Sequence, residues 1–208
     1  MPYLALIRHG QSEYNALGLW TGLTDVDLND EGIAEAKRAA DALQDVHLDV
    51  GFTSSLKRAQ ETMRVIQEVL GLGDLPVTCN PALNERDYGD LTGKNKWQVR
   101  DEYGEEQWLK WRRSWDYPVP GGETLKDVHA RVVPYFQQAI VPELRAGRNV
   151  IVVAHGNSLR ALLKHLENIS DEVIPTVELG TAEVYLYQVD GEGKVLSKEV
   201  RAVNTNVV

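Results

Sequence analysis

Residues 4–10 read Leu-Ala-Leu-Ile-Arg-His-Gly, and residues 150–156, far away in the chain, read Val-Ile-Val-Val-Ala-His-Gly. Each stretch is a short apolar run of the kind that forms a strand buried on both faces of a parallel sheet, and each ends in His-Gly. Ligands of open α/β sheets bind outside the carboxyl ends of the strands, so we expect both imidazoles at one edge of the sheet. The glycines are expected to let backbone N–H groups approach an anion there.

The rest of the chain alternates between apolar runs and amphipathic segments, which is typical of an α/β fold. We expect a three-layer α/β/α sandwich with a mostly parallel sheet and an antiparallel edge strand. Further strands are predicted at 46–53 and 77–79 and in a hairpin of 182–189 with 195–200. Helices are predicted after an N-cap at Asn29, at 56–70 with an end at Gly71, at 124–144 with a kink at Pro134, and at 157–166.

The length of 208 residues and the absence of repeats or low-complexity linkers predict one domain over residues 1–208. Residues 84–122 depart from the α/β pattern because they are polar and rich in tryptophan, and they close with Pro118, Pro120, Gly121 and Gly122. We expect this segment to form short helices as an insertion on the rim of the domain.

The charge balance is 22 Lys and Arg residues against 31 Asp and Glu residues, a net charge of −9. Nucleic acids and anionic membranes attract proteins of the opposite sign, so neither is expected as a partner. The single cysteine, Cys79, lies in an apolar stretch and is expected to be a buried thiol of a reducing compartment. Without an apolar run of membrane-spanning length or a signal-peptide pattern, the sequence predicts a cytoplasmic protein.

Residues 6–15 read Leu-Ile-Arg-His-Gly-Gln-Ser-Glu-Tyr-Asn and resemble the Arg-His-Gly signature of the histidine phosphatase superfamily. Residues 53–59, 84–89 and 154–158 resemble its later blocks in the same order. Within the superfamily the resemblance is closest to the cofactor-dependent phosphoglycerate mutases, through residues 20–22, 93–96, 111–113 and 156–162. Together these blocks cover the chain from residue 4 to about residue 190.

The resemblance implies a phosphoryl transfer in which His9 is the nucleophile and becomes phosphohistidine. Arg8, Arg58 and His155 are expected to hold the phosphoryl oxygens, because guanidinium groups suit bidentate contacts with phosphate. Glu85 is expected to act as the general acid and base on the departing and attacking oxygens. Taken alone, Glu85 could equally be a solvated loop carboxylate, and a lone histidine could be structural.

The resemblance further implies a metal-independent mutase of glycolysis and gluconeogenesis that interconverts 2- and 3-phosphoglycerate, with 2,3-bisphosphoglycerate as its phosphoryl primer. The substrate would be a small anionic phosphorylated three-carbon acid. Ten positions match binding positions of the family: Ser12, Asn15, Thr21, Gly22, Tyr88, Lys96, Arg112, Arg113, Gly156 and Asn157. No metal is expected, because His47, His129 and His165 lack partners at ligand spacing.

Several features depart from the mutase pattern. Gln11 stands where the family usually has glutamate, the stretch after Arg113 is short, and residues 121–124 form a Gly-Gly-Glu-Thr turn that resembles the phosphatase branch. The tail beyond Val200 is brief. A histidine phosphatase that hydrolyses small phosphomonoesters is therefore the alternative, and we expect some phosphatase side activity from an open site.

The basic residues of the rim segment also permit a purely structural role. Lys96, Arg112 and Arg113 could form a salt-bridged helix face with the nearby acidic residues Asp101, Glu105 and Glu106. A non-catalytic phosphoester-binding protein on the same fold is disfavoured, because the proposed nucleophile, acid and phosphate ligands are all present. A monomer and a symmetric homodimer both fit the sequence.

Overall fold

Six short strands form one sheet in the computed structural model, which describes residues 1–190 and 192–204. They are β1 (Tyr3–Arg8), β2 (Val50–Thr53), β3 (Val77–Cys79), β4 (Val150–Ala154), β5 (Val184–Val189) and β6 (Val195–Arg201). Their order is β3-β2-β4-β1-β5-β6, and the first four of these positions pair in parallel. The strand β5 pairs antiparallel with β1 and with the edge strand β6. The mostly parallel sheet with an antiparallel edge is confirmed, although the reversed strand lies one place in from the edge.

The helices follow the predicted pattern with a few additions. They are α1 (Glu13–Ala16), α2 (Asp30–Asp41), α3 (Lys57–Leu70), α4 (Lys96–Tyr103), α5 (Glu105–Arg113), α6 (Leu125–Tyr135), α7 (Val141–Arg145) and α8 (Gly156–Leu166). Short 3₁₀ turns lie at Pro81–Leu83, Gly89–Leu91 and Ile174–Thr176. Within the described residues, no helix is long and apolar enough to cross a membrane.

In the inner strands β1 and β4, successive side chains point to opposite sides of the sheet, and both sides are buried. In β1, Leu4 and Leu6 join the apolar cluster that includes residues of α6 and α8, while Ala5 and Ile7 join the cluster that includes residues of α2 and α3. These two clusters make the three-layer α/β/α arrangement. The parallel pairing of β1 with β4 places their carboxyl ends side by side, since Arg8 lies opposite Ala154.

Local signals explain where the helices begin and end. Asn29 caps α2 by accepting a hydrogen bond of 2.8 Å from the N–H of Gly32, and Gly71 ends α3 in the left-handed region at φ +67°. The predicted long helix begins after its N-cap Thr124 and runs to Arg145, but a π-helical turn, Phe136–Ile140, interrupts it. Pro134 lies two residues before this turn and lacks the N–H that an unbroken α-helix needs.

Two expectations differ from the structure. The strand predicted at 46–53 begins only at Val50, because its partner β4 begins at Val150. Cys79 is exposed, so the prediction of a buried thiol was wrong; β3 is an edge strand, and all three of its residues are exposed. The predicted hairpin pairs as expected, but Gly191 in its turn lies outside the described residues.

Residues 84–122 form the expected short helices, α4 and α5, next to the carboxyl end of the sheet. They carry a small apolar cluster of their own, made of Leu91, Val99, Trp108, Trp111 and Val119 together with Trp20 from the loop after α1. The tryptophans therefore serve as the packing centre of a polar segment. The description of this segment as an insertion into a single domain stays a prediction.

Candidate active site

His9 lies at the carboxyl end of β1, where it is 3% exposed. Its Nδ1 lies 2.6 Å from the carbonyl oxygen of Gly10, and its Nε2 lies 3.3 Å from Nε of Arg58, which can only donate. The hydrogen therefore belongs on Nδ1, and Nε2 carries a lone pair. Burial, and next the charges of Arg58 and Arg8, lower the pKa of His9 well below its usual range. The ring is neutral at neutral pH, as a nucleophile must be.

Arg58 is fully buried at the start of α3, and the structure ties its guanidinium group to a backbone loop. Its two terminal nitrogens donate to the carbonyl oxygens of Thr24, at 2.8 Å, and Gly22, at 2.9 Å. Burial lowers the pKa of Arg58 to about 10, so the group keeps its charge at neutral pH. A guanidinium held in this way is a preorganised positive group beside His9.

Arg8 is held from the other side of the sheet by residues just before β5. Its Nη1 donates to the carbonyl oxygen of Leu179 at 2.7 Å, while its Nε is buried and has no hydrogen-bond partner among the described residues. The N–H of Ala182 donates to the carbonyl oxygen of Arg8 at 3.0 Å. A buried N–H without a partner is costly, so the Nε of Arg8 is a donor available to an anion.

His155 lies beside His9, with 4.9 Å between the centroids of the two imidazole rings. Its Nε2 lies 2.7 Å from Oγ of Ser54, and Ser54 Oγ already accepts from the N–H of Leu56. The described residues offer no other acceptor for the hydroxyl hydrogen of Ser54, so we assign that hydrogen to Nε2 and the ring hydrogen of His155 to Nδ1. Nδ1 is buried with no partner in the part of the chain that the structure describes. Burial, followed by the charge of Arg58, lowers the pKa of His155 well below its usual range.

Glu85 lies opposite, in the segment between the first 3₁₀ turn and the second. Its Oε1 accepts from the N–H of Arg86 at 2.7 Å and from both the N–H and the side-chain amide of Asn157, at 3.2 Å and 3.0 Å. An oxygen that accepts three N–H groups is a poor site for a proton, so the exchangeable proton belongs on Oε2. Glu85 is therefore an oriented carboxyl group and not a solvated loop carboxylate.

Four further cations surround the cavity: Lys96, Arg112, Arg113 and Arg160. The acidic residues that could have paired with them have different partners, since Asp101 pairs with Arg100 and Glu106 with Lys110. Arg113 does form an ion pair, but with Glu178 from outside the helix. The alternative in which Lys96, Arg112 and Arg113 form salt bridges with Asp101, Glu105 and Glu106 is therefore wrong.

Lys96 is 7% exposed and lies among several positive charges. Burial, and next the charges of Arg112 and Arg8, lower the pKa of Lys96 to about 7. Burial also lowers the pKa of Arg112 to about 10 and that of Arg160 to about 9. The site is therefore short of negative charge, which an anionic ligand would supply.

The structure brings most of the predicted residues to one cavity. Its lining includes Arg8, His9, Asn15, Thr21, Arg58, Glu85, Tyr88, Lys96, Arg112, Arg113, Gly156 and Asn157. Ser12, Gly22 and His155 are adjacent but not among the lining residues. Ser12 accepts from the N–H of Asn15 and donates to its side-chain oxygen, and Gly22 holds Arg58, so these two support residues that line the cavity.

Three lining residues were not predicted: Trp20, Arg160 and Leu179. Trp20 and Arg160 stand inside the sequence blocks that carry the resemblance, so their types and positions could have indicated them. Leu179 contributes its carbonyl oxygen to Arg8, and backbone contacts of this kind leave no signal in the sequence. Ser54, which orients His155, is likewise part of a resembling block.

Gly10 has a different role from the one expected. A Cβ atom at Gly10 would lie 2.3 Å from the carbonyl oxygen of Gly32 in α2, and the N–H of Gly10 donates to Thr62 Oγ1 at 3.0 Å. The expectation that Gly10 frees a backbone N–H for an anion was therefore wrong. This glycine allows α2 to pack closely against the loop that follows His9. Gly156 lines the cavity as expected.

No group of three or more His, Cys, Asp or Glu side chains in residues 1–190 and 192–204 is placed to hold a metal ion. The independence of the reaction from metal stays a prediction.

The chain belongs to the histidine phosphatase superfamily, because the family model of its branch 1 matches residues 4–201. Curated relatives include a 2,3-bisphosphoglycerate-dependent phosphoglycerate mutase of Methylocella silvestris, 50% identical over 199 residues, which are 95% of this chain and 97% of the relative. A mutase of the same name from Cytophaga hutchinsonii is 50% identical over 188 residues, 90% of this chain and 88% of the relative. The resemblance to these mutases is confirmed.

Among solved structures, a mycobacterial glucosyl-3-phosphoglycerate phosphatase has a similar fold, with a TM-score of 0.83 at 26% identity. The match covers 99% of this chain and 100% of the phosphatase. This chain is thus similar in sequence to mutases and similar in structure to a phosphatase. A shared fold does not determine the activity, so the residues of the site must distinguish the two.

Proposed function

We propose that this protein is a phosphoglycerate mutase that interconverts 2- and 3-phosphoglycerate through phospho-His9. The observation that carries the proposal is the excess of basic groups around the cavity: six basic side chains and one carboxyl group, that of Glu85, surround a neutral imidazole. Hydrolysis of a monoester needs donors for one phosphoryl group. The additional cations, Lys96, Arg112, Arg113 and Arg160, suit a ligand with a carboxylate and a second phosphate.

The proposed chemistry uses His9 and Glu85 in both directions. His9 Nε2 attacks the phosphorus atom, an N–P bond forms, and the P–O bond breaks as Oε2 of Glu85 gives its proton to the departing oxygen. In the return step Glu85 takes the proton of the accepting hydroxyl group, the new P–O bond forms, and the N–P bond breaks. Arg8, Arg58 and His155 Nδ1 donate to the phosphoryl oxygens, so positioning and charge provide most of the catalysis.

The residues present fit 2,3-bisphosphoglycerate, which supplies the phosphoryl group that primes His9 when it is bound. The Nε atoms of Arg8 and Arg160 are buried and unpartnered within the described chain, as expected of donors reserved for an anion. Lys96, Arg112 and Arg113 would hold the groups that do not react. The proposal also includes a cytoplasmic location and a reaction that does not need metal.

Phosphorus NMR of 3-phosphoglycerate, with and without 2,3-bisphosphoglycerate, tests the proposal. We expect 2-phosphoglycerate to form, faster with the bisphosphate, insensitive to a chelator and absent in His9→Ala. Loss of activity on chelation would rule out this mechanism.

Phosphatase activity is the second candidate, favoured by the similarity to a solved phosphatase and by the Gly-Gly-Glu-Thr turn at 121–124. In the same spectra, release of inorganic phosphate at a rate comparable to isomerisation would support it. Negligible release would exclude a side activity.

A further inference from the structure

Arg131, on α6, uses all of its N–H groups on the segment that carries Glu85 and on one carboxylate. Nη1 donates to the carbonyl oxygens of Ala82 and Asn84, at 2.8 Å and 3.0 Å, and Nη2 donates to that of Glu85 at 3.0 Å. Nε and Nη2 also donate to the two carboxylate oxygens of Glu123, each at 2.9 Å. A guanidinium group has five N–H hydrogens, and five acceptors are met here.

Glu123 holds the far side of the same segment. Its Oε2 accepts from the N–H of Asp87 at 3.0 Å, and its own N–H donates to the carbonyl oxygen of Asp87 at 2.9 Å. Although burial acts to raise it, the hydrogen bonds from Arg131 and Asp87 lower the pKa of Glu123. Glu123 is thus charged at neutral pH and connects Arg131 to the residue two places beyond Glu85.

The backbone on both sides of Glu85 is therefore fastened to Arg131 of α6 and to Glu123 just before this helix, while its carboxylate is fastened to α8 through Asn157. The two sets of contacts come from different helices and act on different atoms. Together they determine where Oε2 lies relative to His9. A shift of about 1 Å in such a group can cost about 10²-fold in rate.

We propose that Arg131 and Glu123 are positioning residues for proton transfer by Glu85. This inference rests on the proposed role of Glu85 as the acid and base. Neither residue is among those that line the cavity, in the part of the chain that is described, so their effect must pass through the Glu85 segment.

A change at Arg131 should leave the fold in place, because the segment has further attachments. The side-chain oxygen of Asn84 accepts from both the N–H and the hydroxyl group of Ser55, at 2.9 Å and 2.8 Å. Loss of Arg131 would then let Glu85 move without detaching the segment.

The test compares two phosphoryl donors in a single turnover, with phospho-His9 measured by intact-protein mass at neutral pH. The alkoxide leaving group of 2,3-bisphosphoglycerate needs a proton. The leaving group of p-nitrophenyl phosphate is the stable p-nitrophenolate anion, which does not. For Glu85→Gln we expect a loss of about 10²–10⁴-fold with the first donor and a small change with the second. For Arg131→Gln we expect a loss of about 10²-fold with the first donor only. Glu123→Gln and Arg131→Lys should show smaller losses with the same selectivity.

Arg201→Gln is the matched control. Arg201 also donates to a backbone carbonyl oxygen, that of Ala42, and to two carboxylates, those of Asp45 and Glu199. None of these residues lines the cavity. This variant should lower the melting temperature without separating the two donors. Equal losses with both donors in the Arg131 and Glu123 variants, or no loss at all, would overturn the positioning role. If Glu85→Gln itself fails to separate the donors, the proposed role of Glu85 is what fails. If Arg131→Gln does not fold, Arg131→Lys and Glu123→Gln decide the question by the same criterion.

Discussion

His9-Gly10 and His155-Gly156 follow two neighbouring parallel strands and share one sequence pattern. Their surroundings differ at the ring nitrogens and at the glycine Cα atoms. The Nε2 of His9 faces the guanidinium group of Arg58 and carries a lone pair, whereas the Nε2 of His155 is occupied by Ser54. His155 therefore presents Nδ1. One ring therefore offers an acceptor nitrogen, as the proposed nucleophile requires, and the other offers a hydrogen-bond donor.

The glycines differ in the same way. A Cβ atom at Gly10 would collide with the backbone of Gly32, at 2.3 Å, whereas one at Gly156 would meet Glu85 Oε2 at an ordinary 3.7 Å. The first glycine is required by packing, and the second faces the ligand cavity. An identical dipeptide thus acquires its role from what packs behind it.

The largest expected effect separates the two histidines. His9→Asn should lower isomerisation by at least about 10⁴-fold and abolish phosphoprotein, because the nucleophile is gone. His155→Asn should cost about 10²–10³-fold, the loss of one preorganised donor, while His9 is still phosphorylated. Incubation with labelled 2,3-bisphosphoglycerate and detection of phosphohistidine checks both. Phosphorylation of the His9 variant at His155 would reverse the assignment.

The next effect separates the glycines. Gly10→Ala should destabilise the fold by about 1–3 kcal/mol, since the added methyl group overpacks the contact with α2. Gly156→Ala should melt close to the wild type and alter substrate binding instead. Thermal unfolding and KM for 3-phosphoglycerate measure the two responses, and similar melting temperatures for both variants would contradict the difference.

Lys96 shares with both histidines a pKa lowered by burial among cations, but it titrates at about 7. A bound anion raises this pKa again, so binding takes up a proton. Affinity should then fall as pH rises from about 7 to about 8.5, by at most about tenfold per unit, where the substrate phosphate is already ionised. Lys96→Arg keeps its charge and should bind independently of pH in this range. Calorimetry in buffers of different ionisation enthalpy measures the proton uptake. If the wild type takes up no proton on binding, the lowered pKa of Lys96 is contradicted.

The smallest effect concerns the hydrogen bond that orients His155. Ser54→Ala removes the group that holds Nε2 and should cost about 0.5–1.5 kcal/mol of transition-state stabilisation, roughly 2- to 12-fold in kcat/KM. Ser54→Thr retains the hydroxyl group and should recover most of the rate. A rate unchanged in Ser54→Ala would mean that the ring of His155 is oriented by its burial alone.

Much of the fold and the site could be predicted from local patterns. The apolar runs that end in His9 and His155 indicated adjacent strands, and the capping residues Asn29 and Gly71 marked helix ends. The start of β2 at Val50 could not be predicted, since it depends on where its partner β4 begins. Cys79 was misjudged for a related reason: an apolar context does not say whether a strand lies at the edge of a sheet.

The sequence by itself determined the strand-His-Gly pattern, the set of cations and the single acid, and with them a phosphoryl-transfer site in an acidic protein. Only the tertiary structure decided which nitrogen of each imidazole is free, which oxygen of Glu85 is left without N–H donors, and that Leu179 holds Arg8 and Arg131 holds the Glu85 segment. Residue types specify which donors and acceptors exist. The pairing among them depends on distances between segments as far apart in the chain as Arg8 and Leu179, which packing alone establishes.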